Sequence, residues 1–139
     1  MKQNEPVQKI MSTDLVTATP KQKFTEVKKI MASKSVHHLP IVDEKKLVGI
    51  ISRLDIMRAT LSSAFVEEKE ADLILDHIIK VPDIMTRKVV TLKETDTIKQ
   101  AALVMVQHRF HSLPVLNDKD ELVGIVSTVD LLQYLLDQY

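Results

Sequence analysis

Two stretches of the chain carry the same arrangement of polar side chains, Gly49-Ile-Ile-Ser52-Arg53-Leu-Asp55 and Gly124-Ile-Val-Ser127-Thr128-Val-Asp130. In each, a serine and an aspartate three residues later lie between an apolar run and a stretch that reads as a helix. The free amides of a helix start favour an anion. A carboxylate at that place can accept two hydrogen bonds from a vicinal diol such as that of ribose, with the serine and the amides turned to phosphate. The same spacing also makes a capping box, in which the acid only stabilises the helix N-terminus, by roughly 0.3 to 1 kcal/mol. Spacing alone leaves both roles open. The glycine ahead of each turn, having no Cβ, admits a ligand or a second backbone. Arg53 could meet phosphate or stay solvated, and its counterpart Thr128 is uncharged, so the two sites need not be equivalent.

Histidines repeat as well. His37 and His111 coincide, and His38 stands beside the first. Imidazoles near an anion site can donate to phosphate and titrate near neutral pH; a strand-end histidine bonded to backbone is the alternative. Thr17 and Thr91 also coincide, where strand propensity alone would account for threonine. The paired methionines, at 11 and 85 and at 31 and 105, read as core filling. His108 and His111 lack a third ligand at metal-binding spacing, so no metal site is expected. The chain has no Gly-x-Ser-x-Gly elbow, no Walker-type phosphate loop and no His-Glu-x-x-His, and no enzymatic activity is expected.

The elements that must position these residues follow from an internal repeat. Sliding Val7–Asp43 by 74 positions matches nine residues of 37, Val7, Ile10, Met11, Val16, Thr17, Met31, His37, Leu39 and Pro40. One further residue of offset aligns Leu47–Asp55 with Leu122–Asp130, six of nine identical, and brings together the only two glycines in the chain. That density makes chance a poor explanation, and the extra residue falls in a polar turn between the matched segments. Each copy reads as β-α-β-β-α. An extended LVTAT or VVTLK leads into a helix with Phe24, Val27, Ile30 and Met31, or Ile98, Ala101, Val104 and Met105, on one face, and Thr97 with Gln100 fits a capping box. HHLPIVD and HSLPVLN are short extended runs whose proline favours a sheet edge or a strand start. LVGIIS and LVGIVS are apolar without alternation, as doubly covered strands are. The resulting segments are a first repeat at 7–62, a helical linker at 63–80 and a second repeat at 81–139. The linker has no glycine or proline before residue 80, and the terminal LLQYLLDQY helix is apolar around most of its circumference, which makes both candidate dimer contacts.

Composition agrees with an ordinary globular protein, 45% hydrophobic and 27% charged over 139 residues. Lysine plus arginine and aspartate plus glutamate are 19 each, which argues against a nucleic-acid partner. No apolar run is long enough for a membrane span, and MKQNEPVQ lacks the apolar centre of a secretory signal. With no cysteine, a cytoplasmic location is the expectation.

Ile-Met-Ser-x-x-Leu-Val-Thr, then His-His-Leu-Pro-Ile-Val-Asp, then Leu-Val-Gly-Ile-Ile-Ser-Arg-Leu-Asp-Ile resembles the cystathionine-β-synthase (CBS) domain, and both copies carry the pattern. The resemblance covers essentially the whole chain and implies an α/β Bateman module, two CBS repeats packed sheet to sheet with pseudo-two-fold symmetry and two clefts between them. It implies an adenosine-type ligand (AMP, ADP, ATP or S-adenosylmethionine) and no cofactor in the catalytic sense. Asp55 and Asp130 match the family's ribose-binding acid, Ser52 and Ser127 its hydroxyl, and Thr17 and Thr91 its first-strand threonine near adenine. Arg53 and Thr128 lie within the same turn. His37, His38 and Pro40, and His111 and Pro114, fall on the family's His-Arg-Leu-Pro. His38 and Ser112 replace the arginine there, which weighs against tight triphosphate binding. Such a module regulates a fused or separate protein. Nothing is fused here, so the expectation is a stand-alone regulator acting through its own dimer or a separate protein target. The alternative is a dimeric interaction or accessory protein, of acetoin-utilisation type, with empty clefts.

Overall fold

The computed structural model describes residues 4–62 and 71–139. The first half of the expected linker, 63–70, lies outside the described residues. A 3-10 turn, Val7–Lys9, precedes α1 (Phe24–Ser33), β1 (His38–Asp43), β2 (Lys46–Ser52), α2 (Arg53–Leu61), α3 (Ala71–Ile78) and α4 (Val81–Ile84). The second repeat follows with β3 (Leu92–Lys93), α5 (Ile98–His108), β4 (Ser112–Leu116), β5 (Leu122–Ser127) and α6 (Thr128–Asp137). The fold is mixed α/β, with strand order β1-β2 in one sheet and β3-β4-β5 in the other.

Packing divides the chain into two compact units, each drawing on both repeats. Met1–Leu15 belongs with Val90–Tyr139, and Val16–Val89 forms the other unit. In the first, the Ser12 amide donates to the Ile125 carbonyl at 2.8 Å and the Ile125 amide returns a bond at 3.0 Å. In the second, Ile50 and Thr86 exchange the equivalent pair at 3.0 and 2.9 Å. Each exchange lays a methionine over the strand glycine. A Cβ on Gly49 would come within 2.5 Å of Met85 Sδ, 2.8 Å of its Cγ and 3.1 Å of the Thr86 carbonyl, and one on Gly124 within 2.8 Å of Met11 Cγ. The close approach expected at these glycines is therefore made by the crossing segment of the same unit.

The expected helical faces are buried. Phe24, Val27 and Met31 line α1, with Ile30 packed at the margin, and Ile98, Ala101 and Met105 line α5. The Thr97–Gln100 capping box forms, with both bonds made at 2.7 and 3.1 Å. Leu75 and Ile79, at the far end of the expected linker, join Phe24 and Ala59 in a core cluster. In the other unit, the Tyr134 hydroxyl donates to Glu5 Oε2 at 2.6 Å and ties the N-terminal segment to α6. That bond, with partial burial and the nearby negative charge, holds the tyrosine above its ordinary pKa of 10.0. The tie is thus fully present below the ordinary value and lost as pH rises through the raised one.

Three expectations change in the folded chain. LVTAT forms a single parallel rung, Ala18 to Ile41, where VVTLK forms the short strand β3. The cause is one amide: Glu94 donates to the Leu116 carbonyl at 2.9 Å, and its counterpart in the first repeat, Pro20, has no N–H to give. Pro114 lies within the middle strand of its sheet, not at an edge or start. In the equivalent strand, Ile50 opposite Pro40 turns its own amide and carbonyl to Thr86, while the Ala18 rung uses the Pro40 carbonyl and the Val42 amide. No partner calls for the missing proline N–H. Finally, β2 alternates in burial, with Gly49 and Ile51 buried between half-buried neighbours.

The polar turn that absorbs the extra residue differs as the repeat offset requires. Asp43 pairs with Lys46 across Glu44 and Lys45, both left-handed at φ 48° and 72°. This two-residue turn ordinarily prefers glycine or asparagine. The longer turn is held by Asn117 Oδ1, which accepts from the Lys119 and Glu121 amides at 3.0 Å.

Two stability predictions follow from these contacts. Lys45→Gly should raise unfolding free energy in urea by about 0.5 to 1 kcal/mol, because glycine adopts the left-handed conformation without a Cβ penalty; a loss would show that the lysine side chain holds the turn. Gly49→Ala and Gly124→Ala should each cost about 1 to 3 kcal/mol. Gly49→Ala should be the costlier, since the Thr86 carbonyl that it crowds is fixed by the Ile50 amide; equal costs would mean that only the methionines yield.

Candidate functional site

In the unit built from Val16–Val89, β2 ends at Ser52 and α2 begins at Arg53. Ser52 is the N-cap, in extended backbone at φ −99°, ψ 163°. Its Oγ accepts from the Asp55 amide at 3.1 Å, and Asp55 Oδ2 accepts from the Ser52 amide at 2.8 Å. The capping box is therefore made. It occupies one carboxylate oxygen: among the described residues, no donor meets Asp55 Oδ1. The Arg53 amide donates to the His37 carbonyl at 2.9 Å, and His38 pairs in register with Ser52, which brings the start of β1 to the turn. Thr17 precedes Ala18, whose amide donates to the Pro40 carbonyl at 3.0 Å. Hydrogen bonding thus gathers Thr17, His37, His38, Ser52, Arg53 and Asp55 around one end of the hairpin. His37, His38 and Arg53 are exposed, and Thr17, Ser52 and Asp55 are half-buried.

The other unit repeats this backbone. Ser127 Oγ accepts from the Asp130 amide at 3.1 Å, Asp130 Oδ2 accepts from the Ser127 amide at 2.7 Å, and no described donor meets Asp130 Oδ1. The Thr128 amide donates to the His111 carbonyl at 2.9 Å, and Ser112 pairs with Ser127. Thr91 stands next to Leu92, which pairs with Val115. Here His111 alone is exposed, and Thr91, Ser112, Ser127, Thr128 and Asp130 are half-buried. Pro40 and Pro114 are buried in their strands, so their rings belong to the core of each unit.

The carboxylate and serine serve the helix start and remain half-buried rather than buried, with one carboxylate oxygen clear of described donors, an arrangement suited to holding a small polar ligand. Among the described residues, no three histidine, aspartate or glutamate side chains converge as a metal site would require. Sequence reasoning missed one surface feature. Leu54, Met57 and Leu61 on α2 are 49 to 66% exposed, and their repeat counterparts Val129, Leu132 and Leu136 on α6 are 59 to 70% exposed. Only the terminal helix stood out as apolar in the sequence, because Arg53, Asp55 and Arg58 interrupt the stripe on α2.

The profile of the CBS domain matches residues 7–62 and 81–137. The CBS domain-containing protein DDB_G0289609 of Dictyostelium discoideum is 34% identical over 131 residues, 94% of this chain and 90% of that one. Protein MJ1225 of Methanocaldococcus jannaschii, uncharacterised, is 31% identical over 95% of this chain. Its crystal structure superposes with a TM-score of 0.82 over 97% of this chain and 49% of that one. The CBS domain pair of protein MJ0100, solved with 5′-methylthioadenosine and S-adenosyl-L-methionine, is 32% identical, with a TM-score of 0.74 over 94% of this chain and 98% of that one. The chain spans about half the length or less of the first relatives it matches. Matched by one domain profile in both of its repeats, and like these proteins along nearly all its length, the chain belongs to the CBS-domain family.

Proposed function

We propose that the chain is a regulatory CBS pair that binds an adenosine-type ligand, AMP, ADP, ATP or S-adenosylmethionine, at the Ser52–Asp55 and Ser127–Asp130 turns. One observation carries this reading. In both units the aspartate caps its helix with Oδ2 and keeps Oδ1 clear of described donors, beside a serine hydroxyl and an exposed histidine. A carboxylate so held is already oriented and can accept a ribose hydroxyl without giving up the cap. The adenosine compounds in the MJ0100 pair support the ligand class. Thr17 and Thr91 would face the base, and His37, His38, Arg53 and His111 the 5′ substituent, with Pro40 and Pro114 fixing the strands behind them.

The capping box also favours a second reading, in which the aspartates only cap and the chain is an interaction protein. Replacing Asp55 and Asp130 by asparagine separates the two, since an asparagine oxygen at that third helical position can still accept the serine amide while its NH2 offers the diol a donor in place of an acceptor. Under the adenosine reading, the double variant should melt close to the parent and bind AMP or S-adenosylmethionine at least about tenfold more weakly by calorimetry. Unchanged affinity would leave the carboxylates structural.

The signal would pass through a homodimer or a separate protein target, in the cytoplasm. Leu54, Met57 and Leu61 recur as Val129, Leu132 and Leu136, so an exposed apolar stripe at spacing i, i+3, i+7 stands on both α2 and α6. Stripes of that kind mark interaction surfaces. Light scattering at tens of micromolar should give the dimer mass, and Met57→Lys with Leu132→Lys should give the monomer mass. A monomer in the parent would overturn the dimer.

A further inference from the structure

The two turns have one backbone and different charges. Arg53 and Thr128 are each the first residue of their helix, and each donates its amide to a histidine carbonyl at the same 2.9 Å. The caps agree to about a tenth of an ångström, at 2.8 and 3.1 Å in one and 2.7 and 3.1 Å in the other. Differences in ligand between them must therefore come from side chains. The first turn carries a cation, Arg53, between Ser52 and Asp55, with Arg53 and His37 exposed. The second sets neutral Thr128 beside Asp130, with His111 exposed and Ser112 where His38 stands. A phosphate monoester carries about −1.5 to −2 charges at neutral pH. It meets an arginine beside the carboxylate-bearing turn in one unit, and a carboxylate-bearing turn with no cation at that position in the other.

We infer that the two sites sort adenosine ligands by charge: the Ser52–Asp55 turn takes the phosphate-bearing nucleotide, and the Ser127–Asp130 turn takes an adenosine whose 5′ substituent bears no phosphate, such as a thioether. This inference rests on the adenosine reading above. With the diol on the aspartate, the 5′ substituent reaches the first residue of the helix, where a guanidinium forms charge-assisted bonds to phosphate and a threonine hydroxyl does not. One other cation stands near the second turn in sequence. Arg109, two residues before His111, is the left-handed C-cap of α5 at φ 56°, where the first repeat has Ser35 at φ 53°. If Arg109 supplied the missing charge, the two sites would take AMP alike.

Calorimetric titration of the full chain with AMP and with 5′-methylthioadenosine tests the division, using Arg53→Thr and Thr128→Arg. The parent should take one AMP per chain, and one 5′-methylthioadenosine that saturating AMP does not displace. Arg53→Thr should weaken AMP about tenfold or more and leave the AMP-resistant 5′-methylthioadenosine site unchanged. Thr128→Arg should raise AMP stoichiometry to two. Two equal AMP sites in the parent, or an Arg53→Thr variant with parental AMP affinity, would overturn the division while leaving the adenosine reading in place. Absence of binding by either compound to the parent would overturn the adenosine reading and this inference together.

Discussion

Everything in the two units depends on how the outer edge of the glycine-bearing strand is closed. β2 and β5 each pair with a neighbour on one side only, and an open row of amides and carbonyls on the other side would invite pairing with another chain. A short segment fills it in each case, through the Ile50–Thr86 and Ser12–Ile125 exchanges. The segment can come that close only because Gly49 and Gly124 leave room for Met85 and Met11. The glycine, the methionine and the two backbone bonds form one device used twice. Without it, the strand that carries the serine cap would have a free edge, and the turn after it would lose its support.

That support makes it possible for one carboxylate to have two roles. A helix start needs its amides satisfied, and the Ser-x-x-Asp box satisfies them locally. Had the aspartate used both oxygens in the cap, the turn would be closed to ligands. Had it used neither, the side chain would be free to rotate. The same economy explains how the units can share a backbone and differ in chemistry: the cap fixes Ser52, Asp55, Ser127 and Asp130, whereas the side chains at positions 53 and 128 make no hydrogen bond among the described residues.

What could be read in the sequence was local. The Thr97–Gln100 and Ser-x-x-Asp boxes, the buried faces of α1 and α5 and the extra residue of the second hairpin all follow from spacing within a few residues. What could not be read was a matter of partners distant in the chain. Periodicity identifies Val7–Met11 and Val81–Met85 as copies, but it does not say which strand each covers, and the units assort them crosswise. Pro20 looks like a minor difference from Glu94 until the Leu116 carbonyl shows which amide the first repeat lacks. The proline of β4 looked like an edge marker because the bonding of Ile125, which removes the need for its amide, is a tertiary fact.

The units also differ in how their parts are joined in time. Val16–Val89 is continuous, so a ribosome releases all of its pieces in sequence, and its crossing segment arrives last onto a sheet already made. Residues 4–15, by contrast, are made before the whole of Val16–Val89, and their partners at 94–98, Ile125 and Tyr134 come only after it. Val7, Ile10 and Met11 therefore wait, apolar and unpaired, while the whole continuous unit is translated. Long-range closure of this kind is slow and leaves apolar surface open meanwhile. The equivalent contact in the continuous unit, Ala59 with Ile79, is wholly apolar, whereas the late-closing unit ends on the directional Glu5–Tyr134 hydrogen bond, a latch suited to a segment that must find its place last.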